Sequence, residues 1–74
     1  MKYSVIYEGG DSRTTPGKTV NSMWVVADEY YLYAEADPFE YDETTMERIL
    51  IDEIVRQAVE AGIDPSEFDF NFGD

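Results

Sequence analysis

Tyr3, Val5 and Tyr7 alternate with Lys2, Ser4, Ile6 and Glu8. This period of two predicts a strand over residues 2–8 with one aromatic-rich face. Gly9-Gly10 is expected to end it. The polar run up to Lys18, with Pro16-Gly17 near its close, reads as a mobile loop. Residues 19–36 carry two patterns at once. Met23, Trp24, Ala27, Tyr31 and Ala34 fit helical spacing, whereas Trp24, Val25, Val26, Tyr30, Tyr31 and Tyr33 favour strands. A helix would leave Val25 and Leu32 as an apolar stripe beside its main face. The preferred reading is two strands, about 20–27 and 30–36, joined by a tight turn at Asp28-Glu29. A helical 20–36 is the alternative.

Asp37-Pro38 breaks the pattern, and a short acidic linker with Phe39 and Tyr41 follows. Residues 44–61 predict a helix. Thr44 and Glu47 match the T-x-x-E capping box, and Asp42 and Glu43 lie near the positive end of the helix dipole. Met46, Leu50, Ile51, Ile54, Val55, Ala58 and Ala61 form a broad apolar arc, while Arg48, Asp52, Arg56 and Glu60 alternate in sign on the other side. Gly62 stands where a left-handed residue closes a helix, with Ile63 supplying the apolar contact after it. Asp64-Pro65-Ser66-Glu67 predicts one more helical turn. Phe68, Phe70 and Phe72 then alternate with Asp69 and Asn71, a short strand. The expected fold is a small α+β two-layer sandwich, β-β-β-α-β, with one helix on an antiparallel or mixed sheet. A helical 20–36 would make it β-α-α-β.

The 74 residues make one domain, 1–74, too small to bury more than roughly 60% of its unfolded surface. With no cysteine and no histidine, it lacks disulfides, thiolate ligands, the commonest metal ligand and the commonest general base. Packing must hold it together, and six Tyr, four Phe and one Trp supply the area. No run is apolar enough to cross a membrane, and the polar loop comes too early for a signal peptide, so the expected location is the cytoplasm.

Catalytic and cofactor chemistry find little support. Gly17-Lys18-Thr19 resembles the end of a phosphate-binding loop, but Ser12 stands where the motif needs glycine. Carboxylate pairs are inevitable in so acidic a chain, and paired-acid hydrolysis needs a cleft that a domain of this size rarely holds. Asp69 to Asp74 begins like a calcium loop, yet its glycine is one place off and the bidentate Glu is missing. The expectation is no enzyme, no cofactor and no metal.

Charge is the strongest functional signal. The net charge is −12. Residues 1–26 hold Lys2, Arg13 and Lys18 against Glu8 and Asp11. The rest of the chain sets Arg48 and Arg56 against all the remaining acids. Asp28, Glu29, Glu35, Asp37, Glu40, Asp42 and Glu43 crowd a stretch with no Lys or Arg. One reading is a solvated face that keeps the protein soluble, or adaptation to salt. The other is a contact for a basic protein surface, because carboxylates two apart on a strand are spaced about as DNA phosphates are, ~7 Å. Nucleic acid and anionic membrane are poor partners for this field. Self-association stays open. Tyr30, Tyr31 and Tyr33 are candidate aromatic anchors, since neighbouring strand residues face opposite sides and Tyr30 and Tyr31 cannot both be core.

In size, acidity, absence of cysteine and mixed α/β pattern the chain resembles the small phage-encoded inhibitors: anti-CRISPR proteins, anti-restriction proteins and inhibitors of uracil-DNA glycosylase. That resemblance is one of type and carries no motif, so it transfers no residue. It implies a stoichiometric blocker, in the host cytosol, of a nucleic-acid-binding protein. The alternative is a small acidic interaction module, such as an antitoxin or an adaptor, docking through a sheet edge or the helix.

Overall fold

A computed structural model describes residues 3–28 and 31–70. Three strands, β1 (Ser4–Asp11), β2 (Thr19–Val26) and β3 (Tyr31–Ala36), form an antiparallel sheet in the order β1-β2-β3. The helix α1 (Glu43–Glu60) packs across β2 and β3, and a single 3-10 turn (Pro65–Glu67) follows. The fold is α+β, as the pattern predicts, and Thr19–Val26 and Tyr31–Ala36 are strands rather than parts of a helix. Sheet pairing decides that ambiguity. Register Met23↔Ala34 and Val25↔Leu32 buries all four side chains on one face, which one helix could not do.

β1 runs through Gly9-Gly10 to Asp11 instead of ending there, because Asn21, Val20 and Thr19 lie opposite as ladder partners. Gly9 also admits a close neighbour: a Cβ there would lie 3.2 Å from Asn21 Oδ1. Asn21 Nδ2 in turn donates to Tyr7 Oη at 2.9 Å. The strand foreseen at 68–72 forms no ladder over residues 68–70, and residues 71 and 72 lie outside the described residues. Phe68 is extended but joins the core through its ring, 5.1 Å and edge-on from Tyr3.

The core lies between the helix and the inner face of the sheet. Met46, Leu50, Ile54 and Ala58, at successive steps of four, meet Met23, Val25, Leu32, Ala34 and Ala36, with Tyr3, Val5 and Tyr7 packed beside them. Leu50 and Ile54 are fully buried, the kind of side chain whose truncation to Ala costs about 2–5 kcal/mol.

The helix starts one residue before the expected position, and its cap is Asp42, not Thr44. Asp42 Oδ1 accepts the Thr45 N–H at 2.8 Å. The C-terminal end matches the prediction. Gly62 is left-handed (φ 78°), its N–H donates to Val59 O at 3.1 Å, and Ile63 N–H donates to Ala58 O at 2.9 Å while its side chain packs on the core. Ala61, expected in the apolar arc, is the exposed C-cap residue.

Candidate protein-binding surfaces

The loop between β1 and β2 is held rather than free. Ser12 N–H donates to Lys18 O at 2.8 Å, and the Ser12 hydroxyl accepts from the Thr14 and Thr15 N–H groups. From there the loop crosses β2 to reach Glu35 on β3. The Glu35 carboxylate accepts from Ser12 Oγ at 2.8 Å, Arg13 N–H at 2.9 Å, Thr14 Oγ1 at 3.1 Å and Tyr33 Oη at 2.5 Å. Val20 and Ser22 are buried beneath this crossing, although they face away from the helix. Burial by itself would raise the Glu35 carboxyl, but these donors prevail and bring it down to about 2. Tyr33 moves the other way, pushed up by burial and by its bond to Glu35.

The same geometry removes the phosphate loop. Lys18 Nζ turns to Asp37 at 3.6 Å, and Thr19 opens a strand instead of the helix N-terminus such a site needs. Among the described residues no group of three acids is placed to hold a metal ion. The calcium-like tail falls mostly outside the described residues.

The seven acids singled out in the sequence do not form one face. Asp28 is exposed at the β2–β3 hairpin, and Glu29 lies outside the described residues. Glu35 is the loop's acceptor. Asp37 lies at the far end of β3, a strand length of ~20 Å from the hairpin. Its Oδ1 accepts the Phe39 N–H at 2.8 Å and its carbonyl accepts from the Glu40 and Tyr41 N–H groups. Asp42 caps the helix, and the Thr45 backbone N–H holds its carboxyl below the usual range. Glu40 and Glu43 are exposed and enter no ion pair among the described residues. On the helix, Arg56 pairs with Glu53 and with Glu60, the latter at 2.6 Å.

Of the tyrosines, Tyr31 is 59% exposed, Tyr33 is half-buried with its hydroxyl committed to Glu35 and Ser22, and Tyr30 lies outside the described residues. Sequence pattern missed Phe39. The turn built on Asp37 holds its ring 84% exposed, with exposed Tyr41 near it. An aromatic in a polar linker was the available signal, but burial cannot be read from a residue outside any periodic element.

No protein-family model matches this chain, and no curated protein or solved structure matches it. Among the described residues no helix is long and apolar enough to cross a membrane.

Proposed function

We propose that this chain is a stoichiometric protein inhibitor that occupies a basic, nucleic-acid-binding surface of another protein, in the manner of anti-CRISPR or anti-restriction blockers. The bend at 37–43 is the contact. The observation that carries the reading is Phe39, held 84% exposed next to Glu40 and four residues before Glu43, two exposed acids in no ion pair among the described residues. An aromatic anchor within an acidic rim complements an apolar pocket edged with Lys and Arg. The carboxylates of Glu35 and Asp37 are not the charges this contact uses, because they already serve the chain's own loop and turn. The edge-docking alternative loses support at β3, where Gln57 accepts from Tyr33 N–H and donates to Tyr33 O.

The test uses the chain as bait in a low-salt lysate. A captured protein is then titrated against the parent, against Phe39→Ser combined with Glu40→Gln and Glu43→Gln, and against an Asp52→Asn, Glu60→Gln control. The expected result is at least about a tenfold loss for the bend variant, a shallower salt slope, little change for the control, and competition by the partner's own nucleic acid. Simultaneous binding of chain and nucleic acid overturns the reading.

A further inference from the structure

Burial on the outer face of the sheet, away from the helix, has a different source from burial in the core. Register places Glu8, Ser22 and Glu35 in one row across the strands, with Ile6, Trp24 and Tyr33 in the row beside it. Val20 is 2% exposed and Ser22 5%, yet neither belongs to the cluster between helix and sheet. What covers them is the loop between β1 and β2, residues 12–18. Apart from Pro16 and Gly17 this loop carries only polar side chains, and residues 13–18 are exposed. A cover of this kind gains little by burying itself, so point contacts must hold it down. Glu35 is one anchor, accepting from Ser12, Arg13 and Thr14. The Arg13 guanidinium is the second, 4.5 Å from the centroid of the Trp24 ring. Lys18 pairs with Asp37 at 3.6 Å, between side chains that water reaches. The base of the loop is separate from these anchors. There the Ser12 N–H continues the β1–β2 ladder to Lys18 O at 2.8 Å, and Gly17, at φ 80°, turns the chain.

We propose that residues 12–18 form a lid that opens from the outer face while the sheet and the helix stay folded. Opening breaks the hydrogen bonds to Glu35 and lifts Arg13 off Trp24, and the Ser12–Lys18 bond at the base is the hinge line. Closed, the lid is the face's own occupant: the chain's own cation covers its single tryptophan, and a polar loop covers Val20. Ile6, Val26 and Tyr31 are exposed even then. With the lid open, Trp24 and Val20 join them, and the apolar surface lengthens along β2 from Val26 to Val20. The lid therefore sets how much of this face is accessible. Opening it breaks only the anchors, whereas unfolding must also break the core around Met23, Leu50 and Ile54, so the lid opens first. The inference does not use the 37–43 bend, so the two readings fail separately.

The chain has no cysteine, so a single introduced thiol reports one place. Ser22→Cys puts it under the lid, and Ala34→Cys puts it on the inner face of the neighbouring strand, where both native residues are buried. Each is labelled with iodoacetamide, a small neutral reagent, at rising urea below the unfolding transition. The Ser22→Cys thiol is expected to react at least about tenfold faster than the Ala34→Cys thiol, at a rate that low urea hardly changes. Adding Glu35→Gln to Ser22→Cys is expected to speed labelling about fivefold, and adding Arg13→Ser about twofold or more. Glu60→Gln, on the helix, is expected to leave the rate unchanged. Hydrogen exchange on the unsubstituted chain is the second measurement. The Arg13 amide should exchange through an opening that low urea does not promote, and the Ile54 amide through one that it does. Equal rates with equal urea dependence for the two thiols, or for the two amides, would mean that the loop leaves only when the whole fold does, and overturns the proposal. No change on adding Glu35→Gln overturns it as well.

Discussion

At the scale of single residues, Glu35 shows how a candidate contact becomes a structural part. The sequence offers it as one acid among seven, with no base near it in the chain. In the fold it accepts from three residues of the β1–β2 loop and from Tyr33. Its folded carboxyl, at about 2, lies below the ordinary 4.5. The stabilisation that it provides is therefore fully present above about pH 4.5 and is lost as pH falls toward about 2. Glu35→Gln should cost about 1 kcal/mol near pH 6, the low end for hydrogen bonds to a charged group because the carboxylate is partly exposed. Urea unfolding at several pH values is the check. The gap between parent and variant should close as the pH is lowered from about 4.5 to about 2, whereas a constant gap would mean that the charge of Glu35 is not what holds the loop. Little of this was legible in the sequence, because apart from Tyr33 the donors come from 21 to 23 residues away, and only strand pairing brings them near.

At the scale of elements, the two ends of α1 differ in how openly the sequence declares them. Ala61-Gly62-Ile63 specifies its own geometry: a residue without Cβ takes φ 78° at no steric cost, and the following apolar side chain finds the core. The N-terminal end offers two compatible caps, Asp42 with Thr45 and Thr44 with Glu47. The preceding turn decides between them. Asp37 O binds the Glu40 and Tyr41 N–H groups, the turn finishes at Tyr41, and Asp42 is the first residue free to cap. Asp42→Ala should lower Tm by roughly 4–8 °C, and Thr44→Ala by no more than about 2 °C. Thermal melts followed by circular dichroism check both. The reverse ranking would return the helix start to Thr44.

At the scale of the whole molecule, the charge of −12 sets a field that the ion pairs among the described residues relieve at few points. Ion pairs among the described residues engage Asp37, Glu53 and Glu60, through Lys18 and Arg56. The remaining acids repel one another over a Debye length of about 10 Å at 0.1 M salt. Tm should therefore rise by several degrees between about 10 and 300 mM NaCl. A flat or falling Tm over that range would show that the hydrogen-bonded acids already offset the repulsion.

What the sequence determined by itself is what short-range periodicity carries. The alternation of Tyr3, Val5 and Tyr7, the apolar steps from Met46 to Ala58, the stop at Gly62 and the excess of acid each follow from residues within a few positions of one another. Tertiary structure decided which acids remain available and which aromatics face water. Pairing of β1, β2 and β3 put Ile6, Trp24, Val26 and Tyr31 on one open surface, and the crossing loop closed the rest of that face. A strand pattern records that neighbours face opposite sides. It does not record what lies on either side, because burial is fixed by segments distant in the chain.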